Sequence, residues 1–360
     1  MRVECFDFDL PANRIALRPV EPRDQARLLI VRPGGEPLLQ DSVVSALPNF
    51  LAPGDILAVN DTRVIPSCLI GSRRRGAAVA RIAVTLIRRE GEMSWRALAR
   101  PAKKLKQGEV ILFALPSGEQ VLEAAVVSKG DDGEILLAFT RSGNALDKAI
   151  ERIGLMPLPP YITQRRASDA WDLRDYQTLF AAKPGAVAAP TASLHFTPPL
   201  IDVLKQKGIF LQKITLHVGA GTFLPVKASN TEGHTMHPEW GEVTQAAADS
   251  FNRARAAGGR IIAIGTTSLR LLESAARPDG AIAPFRGETA IFITPGYHFK
   301  AADVLLTNFH LPRSTLFMLA AAFSGLETVH EAYQHAIAQY YRFYSYGDAC
   351  LLYPATGKSR

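Results

Sequence analysis

Apolar residues recur along this chain in two different rhythms. Between about Cys68 and Phe139 they alternate with polar residues in short runs, among them ARIAVTLI, MSWRALA, EVILFAL, EQVLEAAVV and EILLAF, with Gly, Asp or Lys between them. A period of two in runs this short predicts strands, and several of them at roughly ten-residue spacing predict a small antiparallel barrel or sandwich. After the Pro-rich break LMPLPPYI (Leu155–Ile162) the rhythm changes. Continuous apolar runs alternate there with segments of helical period. They predict a strand over Ile209–Val218, a helix over Val243–Ala257, a strand over Ile261–Gly265 and a helix over Ser268–Ala276. Strands over Ala290–Thr294 and Asp303–Phe309 and a helix from near Ser314 complete the series. Alternating β and α segments imply a sheet with helices on its faces. The buried-strand run DILAVN (Asp55–Asn60) places the first 60 residues in that sheet. The expected fold is α/β: a larger sandwich-like α/β domain, residues 1–60 and 155–360, with an inserted basic antiparallel β-barrel domain, residues 61–154.

Composition narrows the class. Of 360 residues, 47% are hydrophobic and 21% charged, the balance of an ordinary folded chain rather than a disordered one. The longest uncharged apolar run, Leu316 to Gly325, is about half a membrane span. The N-terminal MRVECFDFDLP has acids where a signal peptide is apolar, so a cytoplasmic protein is expected. Cys5, Cys68 and Cys350 are sparse and far apart, which fits a reducing compartment and argues against a disulfide framework or a thiolate zinc site. Charge is more informative. The net charge is +7, and residues 61–110 hold 12 Lys/Arg against 4 Asp/Glu. The expected turns of the barrel carry Arg73, Arg74 and Arg75, then Lys103, Lys104 and Lys106. Such a cluster suits a polyanion, nucleic acid first, with a merely solvated basic face as the plain alternative.

Five stretches carry candidate chemistry. In IIAIGTTSLRLLES a strand turns at Gly265 into a helix whose first residues, Thr266, Thr267 and Ser268, bear hydroxyls. Free N–H groups at a helix start suit a carboxylate or phosphate, although an ordinary cap needs only one hydroxyl. ITLHVGAGTF (Ile214–Phe223) places His217 beside Gly219 and Gly221. Its glycines do not open directly into a helix, as those of a dinucleotide or methyltransferase loop do; close backbone approach to a ligand is their expected use. GHTMHPEW (Gly233–Trp240) gathers His234, His237 and Glu239, suited to acid–base work or to a structural role, and less to a metal. VNDTRVIP (Val59–Pro66) leaves Asn60, Asp61, Thr62 and Arg63 at a strand end, where open α/β sheets bind ligands. YYRFYSYGDA (Tyr340–Ala349) clusters aromatics with Arg342 and Asp348, for burial or for stacking on a base.

These strings occur in an order that resembles one family. GAVAAPTASLHF, TLHVGAGTF, HTMHPE, IAIGTTSLR, LLTNFHLPRSTL and YRFYSYGDA, with VNDTRVIP upstream, are similar to those of the S-adenosylmethionine:tRNA ribosyltransferase-isomerases of queuosine biosynthesis. The likeness runs from FDFDLP near residue 6 to Asp348. It implies a larger α/β domain with a smaller β-barrel. It also implies transfer and isomerisation of the ribosyl part of S-adenosylmethionine onto 7-aminomethyl-7-deazaguanine at the wobble position of tRNAs with GUN anticodons. The products are then epoxyqueuosine-tRNA, adenine and methionine, with no metal, and the enzyme is expected to act as a monomer. Four positions depart from the family pattern: Ser67 and Cys68 after TRVIP, Ala83 where a glutamate is common, and Ser193 in place of a glycine.

The reaction so implied needs a base of near-neutral pKa, an acid for departing adenine and exclusion of water. Candidates are His217, His237, Glu239, Asp348 and Tyr346, with His195 and His310 in further family strings. The expected S-adenosylmethionine site comprises Asn60, Asp61, Arg63, Gly219, Gly221, Gly265, Thr266, Thr267 and Ser268. The expected tRNA contacts are Arg73, Arg74, Arg75, Lys103, Lys104 and Lys106, with Phe343 receiving an unstacked base. The rivals are an S-adenosylmethionine-dependent RNA methyltransferase and a non-catalytic tRNA-binding paralogue.

Overall fold

A computed structural model describes residues 1–115, 117–219, 221, 226 and 228–355. In chain order the strands are β1 (Arg27–Val31), β2 (Leu39–Val43), β3 (Ile56–Asn60), β4 (Thr62–Val64), β5 (Cys68–Arg75), β6 (Ala78–Arg89), β7 (Ser94–Arg100), β8 (Val110–Ala114) and β9 (Gln120–Lys129). There follow β10 (Glu134–Phe139), β11 (Lys183–Ala186), β12 (Phe210–Leu216), β13 (Glu239–Val243), β14 (Ile261–Ile264), β15 (Phe285–Thr289), β16 (Val304–Asn308) and β17 (Ala349–Leu352). The helices are α1 (Gly143–Ile153), α2 (Pro160–Thr163), α3 (Asp172–Asp175), α4 (Pro198–Gln206), α5 (Gln245–Ala256), α6 (Gly265–Ala275), α7 (Thr315–Ser324) and α8 (Leu326–Ala338). The fold is α/β with a closed barrel. Two compact units emerge: residues 1–63, 175–183 and 189–360, and residues 64–174 with 184–188.

The first unit is built on a nine-stranded mixed sheet in the order β15-β13-β12-β3-β14-β16-β17-β1-β2. Its central strands β3, β14, β16 and β17 are buried on both sides because both sides are covered. Leu29, Val31, Ile261, Ala263 and Leu305 face one core with residues of α5 to α8, whereas Leu28, Ile30, Ile262, Ile264 and Leu306 face a second with Leu47, Phe196, Leu200 and Leu204. Strand β3 runs parallel to β12 and β14, and β14 runs parallel to β16. The C-terminal ends of these four strands therefore lie along one edge, and the residues that follow them share it.

Two expectations for this unit need correction. The strand predicted at Ala290–Thr294 lies earlier, at β15, which pairs with β13. The Thr289 hydroxyl ends it by accepting the Ile291 N–H at 3.3 Å, and Ile293 is buried in the core as irregular chain. Helix α6 starts at Gly265, whose φ of +88° a side chain would disfavour, so the three hydroxyl residues lie inside the first turn instead of capping it.

The second unit is a closed barrel in the order β10-β7-β6-β5-β8-β9. Leu69, Ile82, Val84, Phe113, Leu122 and Leu137 belong to its core, with Leu146, Ala149 and Ile150 of α1 packed among them. Gly71 faces inward so closely that a Cβ there would lie 2.6 Å from the Ile111 side chain. Arg73, Arg74 and Arg75 are the end of β5, not a turn. Leu155 exchanges backbone hydrogen bonds with Cys68, at 3.1 and 2.8 Å, which ties the chain beyond the expected boundary to this unit. Among the described residues no helix is long and apolar enough to cross a membrane.

Candidate functional site

The sheet edge of the first unit collects four of the sequence motifs. At the end of β3, Asn60 is fully buried and committed to the backbone: its Nδ2 donates to the Leu216 carbonyl at 2.9 Å and its Oδ1 accepts from Leu216 N and Thr62 N. It splices β3 to the end of β12 rather than offering an amide to a ligand. Asp61 is buried and accepts from the Thr215 hydroxyl at 2.6 Å, while the exposed Arg63 lies one strand residue beyond Thr62.

His217, just past β12, is set by two neighbours whose pairing with it the sequence did not show. The Thr62 hydroxyl lies 2.7 Å from its Nδ1, and its ring stacks on Trp240 at 5.2 Å. Burial pushes its pKa down, opposed by Asp61 and Glu242 and assisted by Lys183, so the imidazole is neutral at neutral pH. When Nδ1–H donates to Thr62, Nε2 carries the lone pair of a base. Lys183 in turn donates to Glu242 at 2.5 Å, which holds that carboxylate below its usual range.

The glycine loop and the HTMHPE loop meet each other. The Gly219 amide donates to Glu239 Oε1 at 2.9 Å, and a Cβ on Gly221 would strike the His237 ring at 2.8 Å. The close approach these glycines permit is thus to Glu239 and His237 of the same chain. Ala220 and Thr222–Pro225 of this motif lie outside the described residues. Glu239 is 6% exposed and its other oxygen accepts from Arg270 Nη1 at 2.7 Å, so both carboxylate oxygens are engaged and it is not a free base. His237 itself is exposed.

The start of α6 is different in kind. No side chain caps it, so its first-turn amides keep the free donors of any helix start. Thr267 Oγ1, Ser268 Oγ and Arg270 Nη2 are buried without a partner among the described residues. Ser193 Oγ, on the Thr191–His195 turn that packs against α6, is in the same state. Unpaired buried donors of this kind are costly, each by about 1–3 kcal/mol, unless something else pairs with them. Arg270 follows Thr267 by three residues and so shares its helix face; that spacing in IGTTSLR was the available sequence signal.

Beyond β16, Thr191 Oγ1 donates to Asn308 Oδ1 at 2.8 Å, and Asn308 Nδ2 lies 3.2 Å from His195 Nε2. His195 is held neutral, its pKa pushed down to about 4 by burial and then by the Arg342 and Arg23 charges. His195 also lines a small cleft with Arg23, Leu194, Arg342, Ser345 and Tyr346. His310, 2.9 Å from the Thr307 hydroxyl, is pushed down to about 3 by burial alone.

The C-terminal cluster serves the fold. Phe343 is fully buried and packs on Phe309 at 5.0 Å, which removes it as a platform for a nucleic-acid base. Asp348, 2% exposed, accepts from Arg27 N and Arg342 N and pairs with the Arg342 guanidinium at 3.2 Å, closing the turn that leads into β17. Tyr346 is buried with its ring edge-on to Tyr176 at 6.0 Å.

In the barrel unit the basic residues divide. Arg73 is buried and donates to the Lys104 carbonyl, which removes it from any outer surface. Arg75 pairs with Glu109 at 2.6 Å. Arg74, Lys103, Lys104 and Lys106 are exposed. Of the departing positions, Ser67 is buried with its Oγ unpaired among the described residues, burial raises the Cys68 thiol's pKa, and Ala83 lies opposite Arg100 on β7. No group of three or more metal-ligating side chains occurs among the described residues.

Comparison with known proteins bears on all of this. The queuosine biosynthesis protein family profile matches residues 3–352. An S-adenosylmethionine:tRNA ribosyltransferase-isomerase of Methylocella silvestris is 65% identical over 357 residues, 99% of this chain and 98% of that one. Its counterpart in Beijerinckia indica is 62% identical over 359 residues, again 99% and 98%. The crystal structure of S-adenosylmethionine tRNA ribosyltransferase from Thermotoga maritima is 34% identical, with a TM-score of 0.54, covering 96% of this chain and 99% of that one. A match of this extent places the chain in the queuosine biosynthesis protein family.

Proposed function

We propose that this chain is an S-adenosylmethionine:tRNA ribosyltransferase-isomerase, a transferase of queuosine biosynthesis that consumes S-adenosylmethionine as ribosyl donor and tRNA as acceptor. The finer reading has 7-aminomethyl-7-deazaguanine at the wobble position as acceptor, epoxyqueuosine-tRNA, adenine and methionine as products, and a cytoplasmic monomer as the acting form. The observation that carries it is the head of α6: buried Thr267 Oγ1, Ser268 Oγ and Arg270 Nη2 lack partners within a chain that matches the family from end to end. The first-turn amides and these hydroxyls suit the methionine carboxylate of the donor.

In this reading His217 is the base. The sulfonium acidifies the protons on the adjacent 5′ carbon, and neutral Nε2 accepts one while Thr62 holds Nδ1. Adenine leaves as the sugar opens, the acceptor amine attacks, and methionine departs as the epoxide closes. Glu239 and Arg270 act as positioning residues that fix the glycine loop through Gly219. A methyltransferase reading gains nothing from the glycine loop, whose Gly219 amide is already engaged by Glu239.

Mass spectrometry of a mixture of the protein, S-adenosylmethionine and tRNA bearing the deazaguanine tests this. Adenine and methionine are expected in step with a new wobble nucleoside. Release of S-adenosylhomocysteine, or no turnover, overturns the reading.

A further inference from the structure

The arginines on β5, β6 and β7 are of two kinds. Arg75 pairs with Glu109, Arg88 and Arg96 with Glu90, and Arg89 with Asp147, while Arg73 is turned inward. Arg74, Arg81 and Arg100 are exposed, and their side chains make no ion pair or hydrogen bond among the described residues. The strand register gathers these three. Arg74 lies opposite Val79 and Arg81 opposite Ser72, which makes Arg74 and Arg81 diagonal neighbours on adjacent strands. Arg100 lies opposite Ala83, two residues along β6 from Arg81, which repeats the diagonal. Their partners in register alternate with the buried Ala80, Ile82 and Val84, so all three point to the outer face of the barrel. Diagonal neighbours have Cβ atoms about 7–8 Å apart. The residues that neighbour them in register, Ser72, Val79 and Ala83, are not acidic.

We propose that Arg74, Arg81 and Arg100 form a phosphate-tracking stripe on the outer face of β5-β6-β7, and that the backbone of the tRNA acceptor lies along it. This deepens the tRNA ribosyltransferase reading, on which it rests. An evenly spaced row of cations without carboxylate partners suits a regularly charged polymer. A small anion would need convergence, which an outward diagonal on a barrel does not supply. The ion-paired arginines beside it, already neutralised, contribute fold stability and little affinity.

The test compares two variants that each lose three positive charges. One is R74Q/R81Q/R100Q; the other, R88Q/R89Q/R152Q, removes arginines paired with Glu90, Asp147 and Glu119. Binding of tRNA bearing 7-aminomethyl-7-deazaguanine is measured against salt concentration, with thermal unfolding as a check on folding. The stripe variant is expected to bind about tenfold or more weakly at low salt, with the slope of log affinity against log salt reduced by about 2–3, since each phosphate contact contributes roughly 0.7–0.9. The ion-pair variant is expected to keep the parental slope. Ala83→Glu is a second, single-site version, because it sets a carboxylate opposite Arg100. Equal slopes for both triple variants overturn the stripe, as does loss of binding to phosphatidylserine vesicles with tRNA binding intact. Absence of tRNA turnover by the unaltered protein overturns the ribosyltransferase reading instead, which separates the two failures.

Discussion

The head of α6 and the outer face of the barrel both present polar groups without partners, yet the two absences mean different things. At α6 the groups are buried: Ser268 is fully enclosed and Arg270 is 5% exposed. A buried donor left unpaired has given up water for nothing, so its presence points to a ligand that completes it. On the barrel, Arg74, Arg81 and Arg100 are exposed and fully hydrated, and leaving them unpaired is nearly free. What is informative there is the sorting, in which neighbouring arginines found carboxylates and these did not. Burial thus marks the candidate donor site, and unneutralised charge in register marks the candidate polymer surface.

The sharpest way to break this contrast is at the buried ion pair. Arg270→Met leaves the Glu239 carboxylate enclosed without its cation, and should destabilise the protein by about 3–5 kcal/mol in urea unfolding. A loss below about 1 kcal/mol there would mean the pair is solvated in solution. Phe343→Ala should cost a similar amount, about 3–5 kcal/mol, while leaving the salt slope of tRNA binding untouched. A changed slope would restore Phe343 as a nucleic-acid contact.

Stability against pH comes next. His195 and His310 are held neutral, at about 4 and about 3, against 6.5 for the free side chain. The unfolded chain therefore binds more protons below pH 6.5, and stability falls as pH is lowered toward those values, by about 1.4 kcal/mol per histidine per pH unit. His310→Gln should lower the slope of unfolding free energy between pH 6 and about 4.5 by up to about 1.4 kcal/mol per pH unit.

Smaller still, and opposite in sign, is Ser268→Ala. Removing an unpaired buried hydroxyl should stabilise the free protein by about 1 kcal/mol while weakening S-adenosylmethionine about tenfold in calorimetry. Lower stability of the free variant would show that Ser268 already has a partner. Least of all, Arg88→Gln on the barrel should shift unfolding by less than about 0.5 kcal/mol, since its partner Glu90 is an exposed carboxylate also held by Arg96.

Much of the fold was readable along the chain. Runs such as IIAI and the Val304–Leu306 run of β16 are apolar at every position because both faces of the sheet are covered, and the alternation in SWRALAR follows from one face lining a barrel. The Ala290–Thr294 run misled because an apolar segment can bury itself without pairing, and the Thr289 hydroxyl ends the strand before it. The boundary placed at residue 155 missed the Leu155–Cys68 pairing, a contact between positions far apart in sequence.

The site divides along the same physical line. Local chemistry marked Gly265–Ser268 and His217, since a positive-φ turn, a run of hydroxyls and an imidazole are properties of a few adjacent residues. The roles of Asn60, Glu239 and Asp348 depended on what folding brought beside them: a strand backbone, a glycine amide with an arginine, and a turn closed by Arg342. A carboxylate is the same group in the sequence whether it is a base, a strut or half of an ion pair. Its surroundings choose among these, because desolvation and the nearest donor set both its charge state and its freedom to move. The barrel arginines follow that rule as well. Their number is written in the sequence, but which of them remain without a carboxylate is settled by strand register.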